Sequence, residues 1–207
     1  MSDMTAAGPK GQKRARTRAR LVEAAAALVR ENGFEGTSLD SVAARAGMTR
    51  GAIYGNFRNK EDLFLAVVAA RWEPIMPPLV PGAGFAAHME VLAEAVIAAM
   101  PMRRQAAVGA ASFQAYALTH PEMRARVVAG NEAVYRRAAE ALRAAMPAGS
   151  LPIAPEAFVR VMHALIDGLM FLHALTPELV GPEIVRAAFV AMGSGAMASG
   201  ASGRNAG

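Results

Sequence analysis

The fold of this chain is decided by residues 34–64, which read FEGTSLDSVAARAGMTRGAIYGNFRNKEDLF. Ser38 and Thr49 are natural N-cap residues, so each predicts the start of a short helix, and residues 47–49 predict the turn between the two. Two short helices joined by a tight turn and flanked by longer helices are typical of a helix-turn-helix. A plain pair of helices inside a larger bundle has the same spacing, so the turn alone leaves both interpretations open.

The remaining sequence is also helical in its periodicity. Apolar residues recur at intervals of three and four, Gly and Pro interrupt the pattern, and no stretch alternates as a half-buried β-strand would. We therefore predict an all-α fold. Outside the two short helices, the predicted helices span residues 10–31, 59–72, 84–100, 103–118, 121–146, 155–175 and 182–192.

The composition argues against a secreted or membrane-spanning protein. The 207 residues include no cysteine, which excludes disulfides, thiolate metal sites and a cysteine nucleophile. The first 20 residues carry no apolar run of the signal-peptide type, and the longest charge-free stretches are broken by Pro, Gly and Ser. We expect a cytoplasmic protein that does not interact with a membrane.

Positive charge is concentrated near the N-terminus. Residues 1–60 hold 11 Lys and Arg against 5 Asp and Glu, whereas residues 61–207 hold 11 against 12, and the whole chain carries a net charge of +5. Such asymmetry indicates a polyanionic partner at one end, either nucleic acid or an anionic membrane surface. A helical carrier or membrane-surface protein, anchored by its basic first helix, is therefore the alternative to a DNA-binding protein.

The sequence contains no recognisable catalytic set, so we expect neither an enzyme nor a bound metal or cofactor. The four histidines fall on separate helices or face apart, and the sequence has no phosphate-binding loop or nucleophile elbow. One predicted helix carries a polar stripe made of Glu156, Arg160, His163 and Asp167. Pairing Glu156 with Arg160, and His163 with Asp167, makes the stripe a solvated or dimer-rim face. Alternatively, one or two of these groups turn into a ligand pocket.

The N-terminal third contains three recognisable stretches of sequence. FEGTSL at residues 34–39, Val42-Ala43, and GMTRGAIYGNFRNKEDLF at residues 47–64 strongly resemble the DNA-binding domain of the TetR family of bacterial transcriptional regulators. The resemblance implies an all-α homodimer with a three-helix reader, a variable C-terminal domain for ligand binding and dimerisation, and usually repression that a small molecule relieves. The expected domains are a disordered arm at 1–9, a helix-turn-helix domain at 10–60, a ligand-binding and dimerisation domain at 61–192 and a disordered tail at 193–207.

The resemblance also implies which residues bind an operator of double-stranded DNA. Thr37 is expected to contact a phosphate ahead of the first short helix, and Tyr54 and Lys60 are expected to anchor the DNA backbone. Arg50 is the candidate for base readout, because a guanidinium can donate two hydrogen bonds to guanine in the major groove. A merely solvated Arg50, and a Tyr54 that packs its ring, are the alternatives. The predicted DNA-binding residues are Arg16, Thr37, Thr49, Arg50, Gly51, Tyr54, Asn56 and Lys60.

The C-terminal helices are apolar over arcs too wide for one partner. Residues 155–175 and 182–192 can each join the subunit core on one face and a second copy on the other, in a two-fold four-helix interface. Methionine and aromatic side chains, together with one histidine, are the candidates for a small-molecule effector site, because such side chains adapt to apolar guests. Plain core packing is the alternative for each of them. They are Phe85, Met89, Met100, Phe113, Tyr116, Met123, Tyr135, His163 and Met170.

Overall fold

The structure is a computed structural model that describes residues 9–71, 74–80 and 82–194. Within these residues it contains eight α-helices and no β-strand, which confirms the predicted all-α fold. The predicted disordered arm and tail lie outside the described residues, except that Pro9 begins the first helix and Gly193 ends the last. The helices are α1 (Pro9–Asn32), α2 (Leu39–Arg45), α3 (Arg50–Tyr54), α4 (Lys60–Arg71), α5 (Phe85–Thr119), α6 (Pro121–Ala145), α7 (Pro155–Leu175) and α8 (Pro182–Gly193).

The two short helices begin at the caps that the sequence predicted. Ser38 Oγ accepts a hydrogen bond from the Ser41 amide at 3.1 Å, and Ser41 Oγ accepts one from the Ser38 amide at 3.0 Å, which forms a capping box. Thr49 Oγ1 accepts a hydrogen bond from the Ala52 amide at 3.3 Å. Between the helices Gly47 has a φ of +63°, which a side chain would disfavour, so glycine allows the tight turn after α2.

The predicted break near residue 101 is wrong. α5 is one helix of 35 residues, and Pro101 lies inside it. A proline removes one main-chain hydrogen bond from a helix, here the bond to the Ile97 carbonyl. Pro101 lies on the exposed side of α5, where water can bond to that carbonyl, whereas the adjacent Met100 is buried and holds the turn by packing.

The first of two compact units contains the described residues up to 71 together with residues 108–124. Its core joins α1, α2, α3 and α4 through Leu21, Val42, Ile53 and Leu63, none of which is more than 2% exposed. α1 contacts both α2 and α4, so it forms the centre of the N-terminal helices. α2 and α3 are therefore stabilised by a packed core, since helices as short as these are not stable by themselves.

A cluster of aromatic rings brings the end of α5 into this unit. The ring centroid of Phe34 lies 4.8 Å from that of Phe64 and 4.5 Å from that of Tyr116, and Phe64 stacks on Phe113 at 4.6 Å. The sequence predicted a domain boundary after residue 60. The unit instead includes α4 and the C-terminal end of α5, because these rings pack together.

The second unit contains residues 74–80, 82–107 and 125–194 among those described. Its core is formed mainly by α5, α7 and α8. Val96, Val185 and Phe189 are fully buried, and Phe158 and Met162 belong to the same apolar cluster. This part of the chain is thus a helical bundle with its own core.

Two helices, α5 and α7, are long and apolar enough to cross a membrane by length and composition alone. Of the most apolar window in each, 33% is buried for α5 and only 17% for α7. Helices that pack against a second subunit have the same composition. In the described part of the chain, most of the apolar window of α7 is therefore not buried.

Candidate nucleic-acid interface

The outer face of α3 carries three of the predicted DNA-binding residues. The side chain of Arg50 is 74% exposed, and Tyr54 is 49% exposed. Gly51 lies between them, and a Cβ added there would meet only Thr49 Oγ1, at 3.9 Å. The glycine therefore leaves room for another molecule to approach the backbone of α3 closely.

Arg50 is held in its outward position by two neighbours. Its Nε lies 2.9 Å from Asp40 Oδ1 in the first turn of α2, and its guanidinium lies 6.0 Å from the centroid of the Tyr54 ring. The hydrogen bond with Tyr54 and the charge of Asp40 raise the pKa of Arg50. An exposed ion pair contributes little free energy, so Arg50 can exchange Asp40 for a base or a phosphate at small cost.

Thr37 lies beneath this surface rather than on it. The residue is 4% exposed, and its hydroxyl donates a 2.9 Å hydrogen bond to the Gly33 carbonyl. Its side chain also lines a small void of about 10 Å³ beside Phe34 and Lys60. This geometry does not support the predicted phosphate contact from the Thr37 hydroxyl, so we leave Thr37 out of the proposed interface.

Thr49 and Asn56 hold the two ends of α3 instead of projecting from it. Thr49 Oγ1 is the N-cap acceptor, and Asn56 Nδ2 donates a 2.8 Å hydrogen bond to the Ala52 carbonyl. Asn56 is half-buried, and Gly55 is the C-cap of α3, so Asn56 lies beyond the end of the helix at Tyr54. The contact of Asn56 with DNA therefore stays a prediction, and its amide nitrogen is already bonded within the protein.

Lys60 forms an internal contact at the start of α4. Its Nζ donates a 3.0 Å hydrogen bond to the Glu35 carbonyl and lies 4.5 Å from the centroid of the Phe34 ring. Partial burial lowers the pKa of Lys60. An ammonium group has three donors, so two N–H groups remain for a phosphate, and the predicted contact of Lys60 with DNA stays a prediction.

The basic residues of α1 fall into two groups. Arg16 is exposed, as are Lys13 and Arg14, and within the described ranges Arg16 makes no hydrogen bond or ion pair. Arg18 and Arg20 instead donate hydrogen bonds to main-chain oxygens that follow α3 and α2. The charge pattern predicted a polyanionic partner for this whole region. Charge alone does not show which of the cations have partners within the protein.

The predicted effector residues are divided between the two compact units. Three of them, Phe113, Tyr116 and Met123, lie in the first compact unit, and the other six lie in the second. Met89 and Met100 are at most 4% exposed and belong to the core of the second unit. Met170 is in the same core, and Phe85 packs against it, which favours core packing over ligand contact for these four residues.

Two of the nine effector candidates come together with an acidic neighbour. Tyr135 Oη lies 2.5 Å from His163 Nδ1, and His163 Nε2 lies 3.2 Å from Asp167 Oδ2, which confirms the predicted pairing of His163 with Asp167. The hydrogen bond with Asp167 raises the pKa of His163. Glu156 pairs with Arg143 of α6, so its predicted pairing with Arg160 is wrong. Across the residues that the structure describes, no three His, Asp or Glu side chains are arranged to hold a metal ion.

A groove of about 490 Å³ lies between α5 and α8. Its lining includes Val91 and Val190, both more than 40% exposed, and an ion pair of 2.7 Å between Arg186 and Glu94. None of the predicted effector residues lines this groove. It is open to solvent in the single chain, so it does not enclose a ligand.

The sequence of the chain matches known regulators over most of its length. Residues 21–67 match the family described as bacterial regulatory proteins, tetR family, and residues 86–192 match the family described as BetI-type transcriptional repressor, C-terminal. The chain belongs to the TetR family. This TetR-family chain is 29% identical over 161 residues to the HTH-type transcriptional regulator SrpR of Pseudomonas putida, which covers 75% of this chain and 74% of SrpR.

Solved structures agree with the family assignment. A complex of SmeT with triclosan is 25% identical, with a TM-score of 0.63, over 87% of this chain and 91% of SmeT. A transcriptional regulator from Pseudomonas aeruginosa PAO1 is 24% identical, with a TM-score of 0.71, over 89% of this chain and 92% of the other, which shows the shared fold. The TetR-family chain is therefore a DNA-binding transcriptional regulator and not an enzyme.

Proposed function

We propose that this regulator is a homodimeric repressor that binds a two-fold operator through α3 and leaves it when a small apolar or amphipathic molecule binds. The observation that carries the proposal is the exposed face of α3, on which Arg50, Gly51 and Tyr54 lie together while caps hold both ends of the helix. Binding to chromosomal DNA requires a cytoplasmic location, which we therefore propose as well.

The face of α3 has the chemistry that a major groove accepts. The groove admits one α-helix, and an arginine can donate two hydrogen bonds to guanine there. Gly51 lets the backbone approach the base edges, and the hydroxyl of Tyr54 can reach a phosphate. Arg16 and Lys60 then supply positive charge to the DNA backbone, which sets register rather than sequence.

The exposed face of α7 supports the homodimer. Val161, Leu172 and Leu175 are 45%, 44% and 66% exposed, and they lie on one helical face with Ala164 and Gly168 between them. A Cβ added at Gly168 would meet nothing within 4 Å, so a second helix can approach closely there. Ile184 and Val190 of α8 are also more than 40% exposed. Two copies of α7 and α8 can therefore form a self-complementary four-helix interface.

The Tyr135, His163 and Asp167 cluster is the polar part of the proposed effector site. Tyr135 and His163 lie on different helices, so a ligand that replaces one of their hydrogen bonds can change how α6 and α7 pack. The SmeT complex holds triclosan, and the second unit of this chain is rich in methionine, a side chain that adapts to apolar ligands. A ligand of this kind lowers operator affinity only if it binds the DNA-free conformation more tightly.

Selection from a pool of random duplexes tests DNA recognition. We expect the bound sequences to share a two-fold site whose half-sites are about 34–36 Å apart, or a small multiple of that spacing. Equal binding of all duplexes of the same length would refute the proposal. The salt dependence of binding checks whether contacts with DNA phosphates contribute to affinity. If they do, affinity should fall steeply as the salt concentration rises.

Calorimetry tests release by an effector, with triclosan as the first probe. If triclosan acts as an effector, the selected operator should weaken its binding by about 5-fold to 150-fold, and triclosan should weaken operator binding by the same factor. Tight binding of triclosan with the same affinity with and without saturating operator would show that its site does not regulate DNA binding.

A further inference from the structure

Two arginines of the basic stretch of α1 bind the protein itself. Arg18 Nη1 donates a 3.1 Å hydrogen bond to the main-chain oxygen of Asn56, and Arg20 Nη2 donates a 2.9 Å hydrogen bond to that of Ala46. Asn56 follows the C-cap of α3, and Ala46 is the C-cap of α2. Each helix of the helix-turn-helix is thus tied to α1 at its C-terminal end.

Arg18 makes a second contact that fixes its guanidinium. The guanidinium carbon lies 4.3 Å from the centroid of the Phe57 ring, and Phe57 is 2% exposed. A planar cation is attracted to an aromatic face, and its edge keeps N–H groups that can donate in the plane. Arg18 therefore holds two successive residues, Asn56 and Phe57, immediately after the recognition helix.

The position of Arg18 on α1 explains why it binds inward. Arg18 shares a helical face with Leu21 and Ala25, which are at most 1% exposed. Arg16 precedes it by two residues and lies about 200° around the helix; both side chains are exposed, but only that of Arg18 lies beside the core face, within reach of Asn56 and Phe57. The two arginines have the same charge but face opposite sides of α1.

The recognition helix needs this support because it is short. α3 has five residues, and helices of that length do not form without contacts outside themselves. A cation near the last carbonyls is also favourable, because the C-terminal end of a helix carries partial negative charge. The hydrogen bond of Arg18 connects this end of α3 to α1, a separate and much longer helix.

We propose that Arg18 is a positioning residue of the DNA reader: it sets the angle of α3 in the groove and does not contact DNA. The proposal rests on α3 being the helix that enters the groove, as proposed above. It divides the basic stretch of α1 by role. Arg16 provides positive charge for DNA phosphates, whereas Arg18 orients α3. The loss of Arg18 therefore weakens binding to the operator sequence and leaves non-specific binding to DNA intact.

The test measures the full-length protein by fluorescence anisotropy on two duplexes, the selected operator and a shuffled sequence of equal length and composition, over a series of KCl concentrations. Arg18→Ala should lower operator affinity about tenfold, which corresponds to the loss of one charge-assisted hydrogen bond. Affinity for the shuffled duplex and the slope of log K against log salt should not change. Arg16→Ala is the matched variant, and it should weaken both duplexes and reduce the slope by about 0.9.

Arg18→Lys separates charge from geometry. Lysine keeps the charge but lacks the planar fork, so we expect it to retain the affinity for shuffled DNA and the salt slope but not the affinity for the operator. If Arg18→Ala does not fold by circular dichroism, Arg18→Gln, which keeps a side-chain N–H donor, is measured on the same duplexes. It should lower operator affinity and leave affinity for the shuffled duplex unchanged.

Three outcomes would overturn the proposal. Equal losses on both duplexes with a reduced slope would make Arg18 a phosphate contact. Unchanged operator affinity in Arg18→Ala would mean that α3 needs no support from Arg18. A wild-type protein that does not distinguish the operator from the shuffled duplex would refute the proposed function together with this proposal, and measuring it first separates that failure from the other two.

Discussion

Tyr116 Oη donates a 2.7 Å hydrogen bond to Glu61 Oε1, which joins the C-terminal end of α5 to the first turn of α4. This hydrogen bond raises the pKa of Tyr116. The Tyr116 ring also stacks on His120, with 3.6 Å between the ring centroids. Because α5 begins at Phe85, this single helix includes residues of both compact units.

Removing the Tyr116 hydroxyl should destabilise the reader unit without disturbing its packing. Tyr116→Phe keeps the aromatic ring but loses the hydrogen bond to Glu61, at a cost of about 1 kcal/mol, because both side chains are partly exposed. For a chain of this size that cost lowers the melting temperature by roughly 2–4 °C, measured by calorimetry. Combining Tyr116→Phe with Glu61→Ala should cost less than the sum of the two single changes. Full additivity would show that the two groups do not interact.

Arg50 should determine base preference rather than general affinity. Arg50→Ala should cost about 1–3 kcal/mol on the selected operator and relax the preference at one base pair. Binding to random-sequence DNA should change little. Asp40→Asn is the control, since it removes the ion pair of Arg50 in the free protein and should not weaken operator binding. If Arg50→Ala weakens the operator and random DNA equally in gel-shift titrations, Arg50 contacts the backbone.

Lys60 has a structural contact and a predicted DNA contact, and the two can be separated. Lys60→Met keeps an apolar stem near the Phe34 ring but removes the charge. If Lys60 also contacts a phosphate, the slope of log K against log salt should fall by about 0.9. Glu35 bonds Lys60 through its main-chain oxygen, so Glu35→Gln keeps that hydrogen bond, removes only the nearby carboxylate charge and serves as the control. A lower melting temperature with an unchanged slope would limit Lys60 to its structural role.

A charge on the exposed face of α7 should prevent dimerisation. Leu172→Glu places a carboxylate on the proposed interface, where a second copy would bury it without a partner. We expect a monomer by light scattering and the loss of tight operator binding. Leu118→Glu is the matched control, because Leu118 is 80% exposed and lies outside the proposed interface. A Leu172→Glu protein that remains dimeric would place the interface elsewhere.

The pairing of His163 with Asp167 should depend on pH. The hydrogen bond with Asp167 raises the pKa of His163 above its usual 6.5, although burial and the charge of Arg103 act in the opposite direction. A raised pKa means that the stabilisation is fully present below about pH 6.5, the pKa in the unfolded chain, and is lost as pH rises through the folded value. The effect should stay under about 1 kcal/mol, because both side chains are more than 40% exposed.

Titration by NMR measures this pairing directly. Asp167→Asn should lower the pKa of His163, and the free energies of unfolding of the two proteins should differ near pH 6 and converge above the folded pKa. Tyr135→Phe is the control for the second neighbour of His163, because the Tyr135 hydroxyl bonds the other ring nitrogen, Nδ1. A wild-type His163 that titrates at or below 6.5 would contradict the prediction.

The sequence by itself determines the helix-turn-helix and the boundaries of most helices. The caps at Ser38 and Thr49 and the turn at Gly47 act between residues at most a few positions apart, so the local sequence contains the whole signal. The periodicity of α7 and α8 likewise depends only on spacing along each helix. For the same reason, the motif is enough to identify the family.

Only the tertiary structure decides which side chains of the motif are available to DNA. Arg18 bonds a main-chain oxygen 38 residues away, and the Phe34 amide bonds the Ser112 hydroxyl 78 residues away. Tertiary packing also buries Thr37 and places the end of α5 beside the reader. No local pattern contains these contacts, because they depend on where separate helices pack together, and packing brings together residues that are far apart in the sequence.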